Sequence, residues 1–359
     1  MSESLNILRK AAALLYRGVI RLRNLAFERG VFKTWQAPLP VVSIGNITAG
    51  GTGKTPLADW IIAYYRSIGQ TPALLSRGYG RSTRGVVLVA DERRILCGSR
   101  QAGDEPLMLA AKNPGTITVV AEKRREGVEF ILDRFREKPP SVIILDDAFQ
   151  HRQIARDLDI VVVSAGEAYF DARMLPEGRL REPLANIHRA GLVVLGKITD
   201  RNIADAIALD LKKNGIPVAE TRTQAAELVP FGSAGTVENA AGLRMMAFAG
   251  IGSPEGFLLS LGERGIGVEA HRFFRDHEPY TKEKLLPVLL EAEKRSLSLV
   301  TTEKDYYRLL GEHELMAMLS VRPCYYLKIR TEFIEGRETL ETMLKDALRN
   351  RKGAGKLTP

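Results

Sequence analysis

Apolar and polar positions along the chain switch between two periods. Short apolar runs recur at Pro40–Ile44, Thr71–Ser76, Thr116–Ala121, Ser141–Leu145, Leu158–Ser164 and Leu192–Leu195. They are continuous rather than alternating, as strands buried on both faces are. Between them lie segments with helical spacing, among them Pro56–Ser67, Leu107–Lys112 and Val128–Phe135. Gly85–Val89 reads as a further strand, in a hairpin with Ile95–Cys97. A second cycle begins at Met245. Its strands are expected at Met245–Ala249, Gly267–Ala270, Leu297–Thr302 and Tyr325–Ile329, with helices at Pro254–Arg264, Thr281–Arg295 and Phe333–Leu348. This alternation predicts an α/β fold built on a doubly wound, mainly parallel sheet, with a second, smaller α/β domain.

Ala226–Gly242, rich in Gly, Ser and Asn, reads as the boundary. The expected organisation is an N-terminal helix over 1–30, a core domain over 31–235, and a smaller domain over 243–348 that closes over the cleft. A tail over 350–359 has too little apolar content to order itself. In the N-terminal segment, Leu5, Leu8, Ala12, Leu15, Ile20, Leu22 and Phe27 fall roughly on one helical stripe. Arg9, Lys10, Arg17, Arg21 and Arg23 occupy other positions. A basic amphipathic helix of this kind suits a membrane interface, and equally a helix packed on its own domain with a solvated basic face.

Composition changes the picture little. The 359 residues are 45% hydrophobic and 26% charged, ordinary for a globular chain. Cys97 and Cys324 lie far apart and form no metal or disulfide pattern. No apolar run is long enough to span a bilayer, and no secretory signal is evident. The formal net charge of +9 points to an anionic partner: nucleic acid, anionic lipid or a phosphorylated substrate.

The stretch L-P-V-V-S-I-G-N-I-T-A-G-G-T-G-K-T-P-L-A-D-W, Leu39–Trp60, decides more. A strand, a glycine loop, Lys-Thr and a helix follow one another, the context a phosphate-binding loop requires. Gly50, Gly51, Thr52, Gly53, Lys54 and Thr55 would cradle the phosphates of ATP, with Lys54 reaching the β/γ-phosphates and the Thr55 hydroxyl offered to Mg²⁺. Thr48 stands where the usual pattern has its first glycine. The apolar strand Ser141–Leu145 delivers Asp146-Asp147, the acidic strand end such a loop needs for Mg²⁺. At most one of the pair points to the loop side if the strand stays regular. Arg77-Gly-Tyr-Gly-Arg81 could grip a phosphate or sugar, or be a plain turn. For Asp104 and Glu105, an N-cap is the plainer reading. Leu175–Pro183 (LPEGRLREP) reads as an ordered loop.

With these residues in view, the chain resembles the tetraacyldisaccharide 4′-kinase family over about Leu5 to Leu348. The resemblance rests on V-S-I-G-N-I-T-A-G-G-T-G-K-T-P, L-S-R-G-Y-G-R, A-G-D-E-P, D-D-A-F-Q-H-R, L-P-E-G-R-L-R-E-P, R-D-H and T-T-E-K-D. Thr48 is then family-like. Ala148, where the family usually has glycine, and Glu278, where it often has an aromatic or histidine, depart from the pattern. The resemblance implies ATP- and Mg²⁺-dependent phosphorylation of the 4′-hydroxyl of a tetraacylated glucosamine disaccharide 1-phosphate, in a cleft between two α/β domains. It implies Asp104 as catalytic base with His277 as its partner, and Thr55, Asp146 or Asp147, and Glu182 around Mg²⁺ directly or through water. Arg77, Tyr79, Arg124, Gln150, Arg181 and Asp276 become candidates for the disaccharide and its phosphate. An anionic membrane surface, met by the N-terminal helix at the cytoplasmic face of the bacterial inner membrane, is the implied setting.

Two other classes remain. A P-loop NTPase used as a switch or metallochaperone would share the loop and the acidic strand end, but not the basic helix and arginine loops. The chain also lacks an N-K-x-D guanine-reading segment, of which Gly196–Asp200 (GKITD) is a weak echo. A nucleic-acid-binding module is disfavoured because the arginines are scattered and no aromatic stacking run accompanies them.

Overall fold

The computed structural model describes residues 3–166, 169, 173–232, 235, 237 and 242–352. The expected tail lies outside the described residues from 353 onward. The first half supplies α1 (Glu3–Glu28), β1 (Val41–Gly45), α2 (Lys54–Ser67), β2 (Pro72–Ser76), β3 (Val87–Ala90), α3 (Ser99–Ala102), α4 (Asp104–Lys112), β4 (Ile117–Val120), α5 (Arg124–Arg134), β5 (Val142–Asp146), β6 (Leu158–Ser164), β7 (Leu192–Gly196) and α6 (Arg201–Lys213). The second supplies β8 (Val218–Pro230), β9 (Arg244–Ala249), α7 (Pro254–Glu263), β10 (Gly267–Phe273), α8 (Lys282–Lys294), β11 (Ser298–Thr302), α9 (Glu303–Leu310), α10 (His313–Leu319), β12 (Cys324–Glu335) and α11 (Arg337–Lys352).

All the strands join one sheet, in the order β10-β9-β11-β12-β8-β7-β6-β1-β5-β2-β4-β3. Pairing is parallel except at β3–β4 and β8–β12. The doubly wound expectation therefore holds. β1, which ends in the glycine loop, lies between β5 and β6. Strands β1, β2, β4, β5 and β7 are buried throughout, as their unbroken apolar runs require.

The division into lobes is where structure and sequence differ. β8 runs on through the start of the expected boundary and pairs antiparallel with β12, so the two lobes share one sheet rather than meeting at a linker. α11 was expected to complete the second domain. It crosses back instead, and Leu340, Leu344 and Ala347 enter the core of the first lobe beside Leu57, Ile61 and Tyr65. The Tyr65 hydroxyl donates to the Leu344 carbonyl at 2.9 Å. Burying that apolar face outweighs chain proximity.

α1 is helical as expected, but its apolar residues divide between two faces. Ala13 and Ile20 are buried against the body. Leu8, Leu15 and Leu22 of the expected stripe point outward instead, together with Ile7, Leu14 and Val19. The docked side is largely polar: Arg9 donates to the Pro176 carbonyl, Tyr16 to the Arg181 carbonyl, and Asn24 to Glu182.

Candidate active site

The loop between β1 and α2 begins where Gly45 packs on Phe149. A Cβ on Gly45 would lie 2.6 Å from both the Phe149 Cβ and its backbone nitrogen, so no other residue fits without moving the loop. At the other end Gly53 (φ 95°) turns the chain into α2, whose first residues are Lys54 and Thr55. Asn46 spans the loop from inside and donates to the Thr52 hydroxyl at 3.2 Å. The 179–181 segment runs alongside: the Ala49 amide donates to the Arg179 carbonyl and the Arg181 amide to the Ile47 carbonyl. The glycine loop and the LPEGRLREP loop are thus one unit, and backbone amides at a helix start face the space above them.

Asp146 and Asp147 lie at the C-terminal end of β5. Asp146 is buried and accepts from the Ser76 hydroxyl at 2.8 Å. Burial, Glu105 and Asp147 push its carboxyl up to about 6. Asp147 adopts a left-handed conformation (φ 47°), so the strand does not stay regular through the pair. That turn falls on Asp147, so the methyl of Ala148 carries no such strain. Asp147 pairs with Lys54 at 3.3 Å and with Arg181 at 2.9 Å. Burial pushes its carboxyl up, but those two cations more than offset this and hold it low.

Glu182 was implied as a Mg²⁺ contact, direct or through water, and its surroundings bear on the direct form. It is fully buried, and both carboxylate oxygens are occupied, by Gln150 and Arg189 on one and by Asn24, Asn186 and Arg189 on the other. It ties α1, the loop base and Arg189 together, and direct coordination would cost these bonds. Gln150 passes the connection on, donating to the Asn46 carbonyl at 2.8 Å. Arg124 is likewise buried, donating to the Ala121 and Asp146 carbonyls. Both support the site's frame, whereas Arg77 and Tyr79 are exposed at the loop after β2.

Asp104 is the first residue of α4, and Gly103, not Asp104, is the cap position, with no side-chain capping bond. The plainer reading of Asp104 therefore fails, and its carboxylate is free for other partners. It meets His277 of the second lobe, Nδ1 to Oδ2 at 3.1 Å, across 173 residues of sequence. His277 has φ 59° and its ring meets the Tyr79 ring edge-on at 5.7 Å. Asp276 lies 3.8 Å from the far ring nitrogen. Glu278 accepts from the Arg275 amide and pairs with Lys284 at 2.8 Å, which takes up its extra charge.

Three residues of α9 complete the constellation, and no sequence argument gave them roles. Arg308 contacts the Asp104 carboxylate oxygen through Nε at 2.9 Å and Nη2 at 2.8 Å. Asp305, fully buried, holds Arg308 from behind at 3.0 Å. Lys304 approaches His277 Nε2 at 3.3 Å and Asp276 at 3.2 Å. Burial pushes the Asp104 carboxyl up, yet His277 and Arg308 prevail and hold it below the usual carboxylate range. The T-T-E-K-D motif at the β11–α9 junction was the signal for this group.

A Mg²⁺ ion fits the end of β5. Two carboxylates and the Thr55 hydroxyl are available, one carboxylate carrying unbalanced negative charge, and Mg²⁺ typically takes one or two carboxylates with phosphate oxygens and water. Among the described residues no group of three or more carboxylates, imidazoles or thiolates could hold an ion unaided.

A family model described as tetraacyldisaccharide-1-P 4′-kinase matches residues 5–349. A tetraacyldisaccharide 4′-kinase of Chlorobium limicola is 72% identical over 348 residues, covering 97% of this chain and 99% of that one. One of Pelodictyon phaeoclathratiforme is 51% identical over 352 residues, covering 97% and 99%. Among solved structures, LpxK from Aquifex aeolicus, described as an "apo" form in complex with ATP, superposes with a TM-score of 0.74 at 27% identity, covering 94% of this chain and 98% of that one. The chain belongs to the tetraacyldisaccharide-1-P 4′-kinase family.

Proposed function

We infer that the chain transfers the γ-phosphoryl group of ATP to the 4′-hydroxyl of a tetraacylated glucosamine disaccharide 1-phosphate, giving lipid IVA in lipid A biosynthesis. The observation that carries this reading is the meeting of two lobes at one point. The phosphate loop, Asp146 and Asp147 come from the first lobe, and the Asp104–His277 contact joins the second lobe to it. A nucleotide switch needs the former alone; an acceptor hydroxyl needs the latter.

In this reading the loop amides and Lys54 hold the ATP phosphates. Asp104 accepts the 4′-hydroxyl proton and His277 orients it, an arrangement complete only when the lobes are together. Thr55, Asp146 and Asp147 would hold Mg²⁺, which neutralises charge on the phosphates when bound. Arg77, Tyr79, Arg181 and Asp276 are the residues to meet the disaccharide and its phosphate, while Gln150 braces the base of the glycine loop and Arg124 the end of β5. Asp104→Asn keeps shape and removes the base.

The outward side of α1 supports a seat on an anionic membrane surface. Leu15 is 72% and Leu22 69% exposed, beside exposed Lys10, Arg17 and Arg21. An apolar stripe with basic flanks lies in the headgroup boundary, where a lipid acceptor resides. Among the described residues no helix is long and apolar enough to cross a membrane. The test is transfer of label from γ-labelled ATP to the disaccharide 1-phosphate, resolved by thin-layer chromatography. Labelled lipid is expected. Release of inorganic phosphate indifferent to added lipid would mark a switch instead.

A further inference from the structure

We propose that α9 is the positioning element of the catalytic base: Lys304 fixes the tautomer of His277, and Arg308, braced by Asp305, aims the Asp104 carboxylate. The inference rests on Asp104 being the base.

The tautomer follows from donor counting. A lysine ammonium has donors only. At 3.3 Å from His277 Nε2, Lys304 obliges that nitrogen to accept, so the ring proton resides on Nδ1. Nδ1 then donates to Asp104 at 3.1 Å, the polarity needed to orient a carboxylate. Lys304 is itself tied to Asp276 at 3.2 Å, which sets its position.

Arg308 acts on the carboxylate from the other side. Its Nε and Nη2 converge on the oxygen that also meets His277, leaving the second oxygen of Asp104 with no protein donor among the contacts described. That oxygen is the one available to a substrate hydroxyl. Arg308 cannot swing away easily. Asp305 accepts from its Nη1 at 3.0 Å and from the Gly250 amide at 3.2 Å, and the Gly250 carbonyl accepts from the guanidinium at 3.3 Å. The Tyr280 ring stands 5.7 Å from the guanidinium. The titratable and charged groups around Asp104 are Glu105 on α4, Tyr79 after β2, Asp276 and His277 after β10, and Lys304, Asp305 and Arg308 on α9. Of these, Arg308 and Lys304 depress its carboxyl along with the His277 bond.

Two measurements test this on the full-length enzyme. The first is ¹⁵N NMR of ¹⁵N-histidine-labelled protein, with His277 assigned by His277→Gln. Wild type is expected to show Nδ1–H, the tautomer less favoured in free histidine, and Lys304→Met to show Nε2–H or imidazolium. An Nε2–H signal in wild type overturns the role of Lys304. The second is the pH profile of kcat for Arg308→Gln and Arg308→Lys. Arg308→Gln is expected to move the acidic limb up by about one unit or more, with kcat down about 100-fold and KM for ATP unchanged. Arg308→Lys is expected to restore the limb position while kcat stays below wild type, because one ammonium cannot make the two-point contact. A limb that stays in place in both variants, with Asp104→Asn inactive, overturns this inference and leaves the base assignment standing. A fully active Asp104→Asn overturns the base assignment. Should Arg308→Gln not fold, Arg308→Lys and the Lys304→Met spectrum decide.

Discussion

Lys112→Met should destabilise the protein by about 3 kcal/mol at neutral pH, and the deficit should shrink as pH falls. Lys112 closes α4 at the end opposite Asp104. Its ammonium lies 2.9 Å from Glu303 of α9 and 2.9 Å from Asp59 of α2. The Lys112 side chain is 14% exposed and that of Glu303 only 2%. Breaking a buried pair by removing one partner costs about 3–5 kcal/mol, because the remaining charge is stranded. Glu303 would be poorly compensated: Oε1 has no partner, and Oε2 keeps one long bond from the Ile329 amide at 3.4 Å. Asp59 is more exposed and retains Asn113 at 2.7 Å, so the lower end of the range applies. Burial already raises the Glu303 carboxyl despite Lys112, and losing Lys112 raises it further. For a group with a raised folded pKa, stability is full below its unfolded value of about 4.3 and is lost as pH rises through the folded value. The variant's deficit should therefore be larger at pH 8 than at pH 5.5. Lys112→Met/Glu303→Gln should recover most of it, since no charge is then stranded. Equilibrium urea unfolding at both pH values, followed by tryptophan fluorescence, measures each term. A deficit below about 1 kcal/mol, equal at the two pH values, would refute the reasoning.

Lys54→Ala should raise the barrier by about 3–5 kcal/mol with normal melting, if Lys54 neutralises the transferring phosphoryl group as proposed; near-wild-type turnover would remove it from the mechanism. Leu15→Ser and Leu22→Ser should leave melting unchanged and weaken co-sedimentation with anionic vesicles by about 1–2 kcal/mol each, since both side chains are solvent-exposed in the body of the protein. Unaltered co-sedimentation would make α1 a packing element only. Gly45→Ala should cost about 1–3 kcal/mol and raise KM for ATP, because its methyl meets backbone at Phe149; normal melting and KM would show that the loop yields. His151, pushed down to about 4 by burial and surrounding arginines, is neutral in the fold but takes up a proton when unfolded near pH 5. Wild type should lose about 1 kcal/mol relative to His151→Gln between about pH 7.5 and 5, after discounting for partial solvent screening; parallel pH curves would deny the coupling.

The buried strands were legible because both their faces are apolar, and β6 falls on its expected bounds, Leu158–Ser164. β8 was not, because its middle emerges into solvent around Arg222 and Thr223 and reads as polar. α9 was hidden for a related reason. Glu-Lys-Asp at a strand end suggests a loop, and Arg308 suggests surface charge. Asp305 stands three residues earlier, one helical turn away, and pairs with Arg308 so that both can be buried. The phosphate loop and the β5 carboxylates are local patterns, so sequence located them. Asp104 and His277 are brought together only by the shared sheet, and no spacing encodes that, so the pairing came from the family resemblance. The contacts of Glu182 were not legible either, because they come from segments as distant as α1 and no local spacing encodes them.

Asp104 and Asp146 are pushed in opposite directions, and the directions agree with the different roles proposed for them. Asp146 is buried beside Glu105 and Asp147 with too little positive charge, which favours a cation at its oxygens. Asp104 is held ionised by His277 and Arg308. A carboxylate held low is a weak base, and general-base efficiency falls with basicity. Phosphoryl transfer tolerates this, because its loose transition state draws little on the nucleophile before the bond to phosphorus forms. What it needs is a hydroxyl aimed in line and an ionised carboxylate in place to take its proton. Position therefore outranks basicity here. On the proposed role of Asp104 as base, that ordering accounts for the arginine placed against its carboxylate.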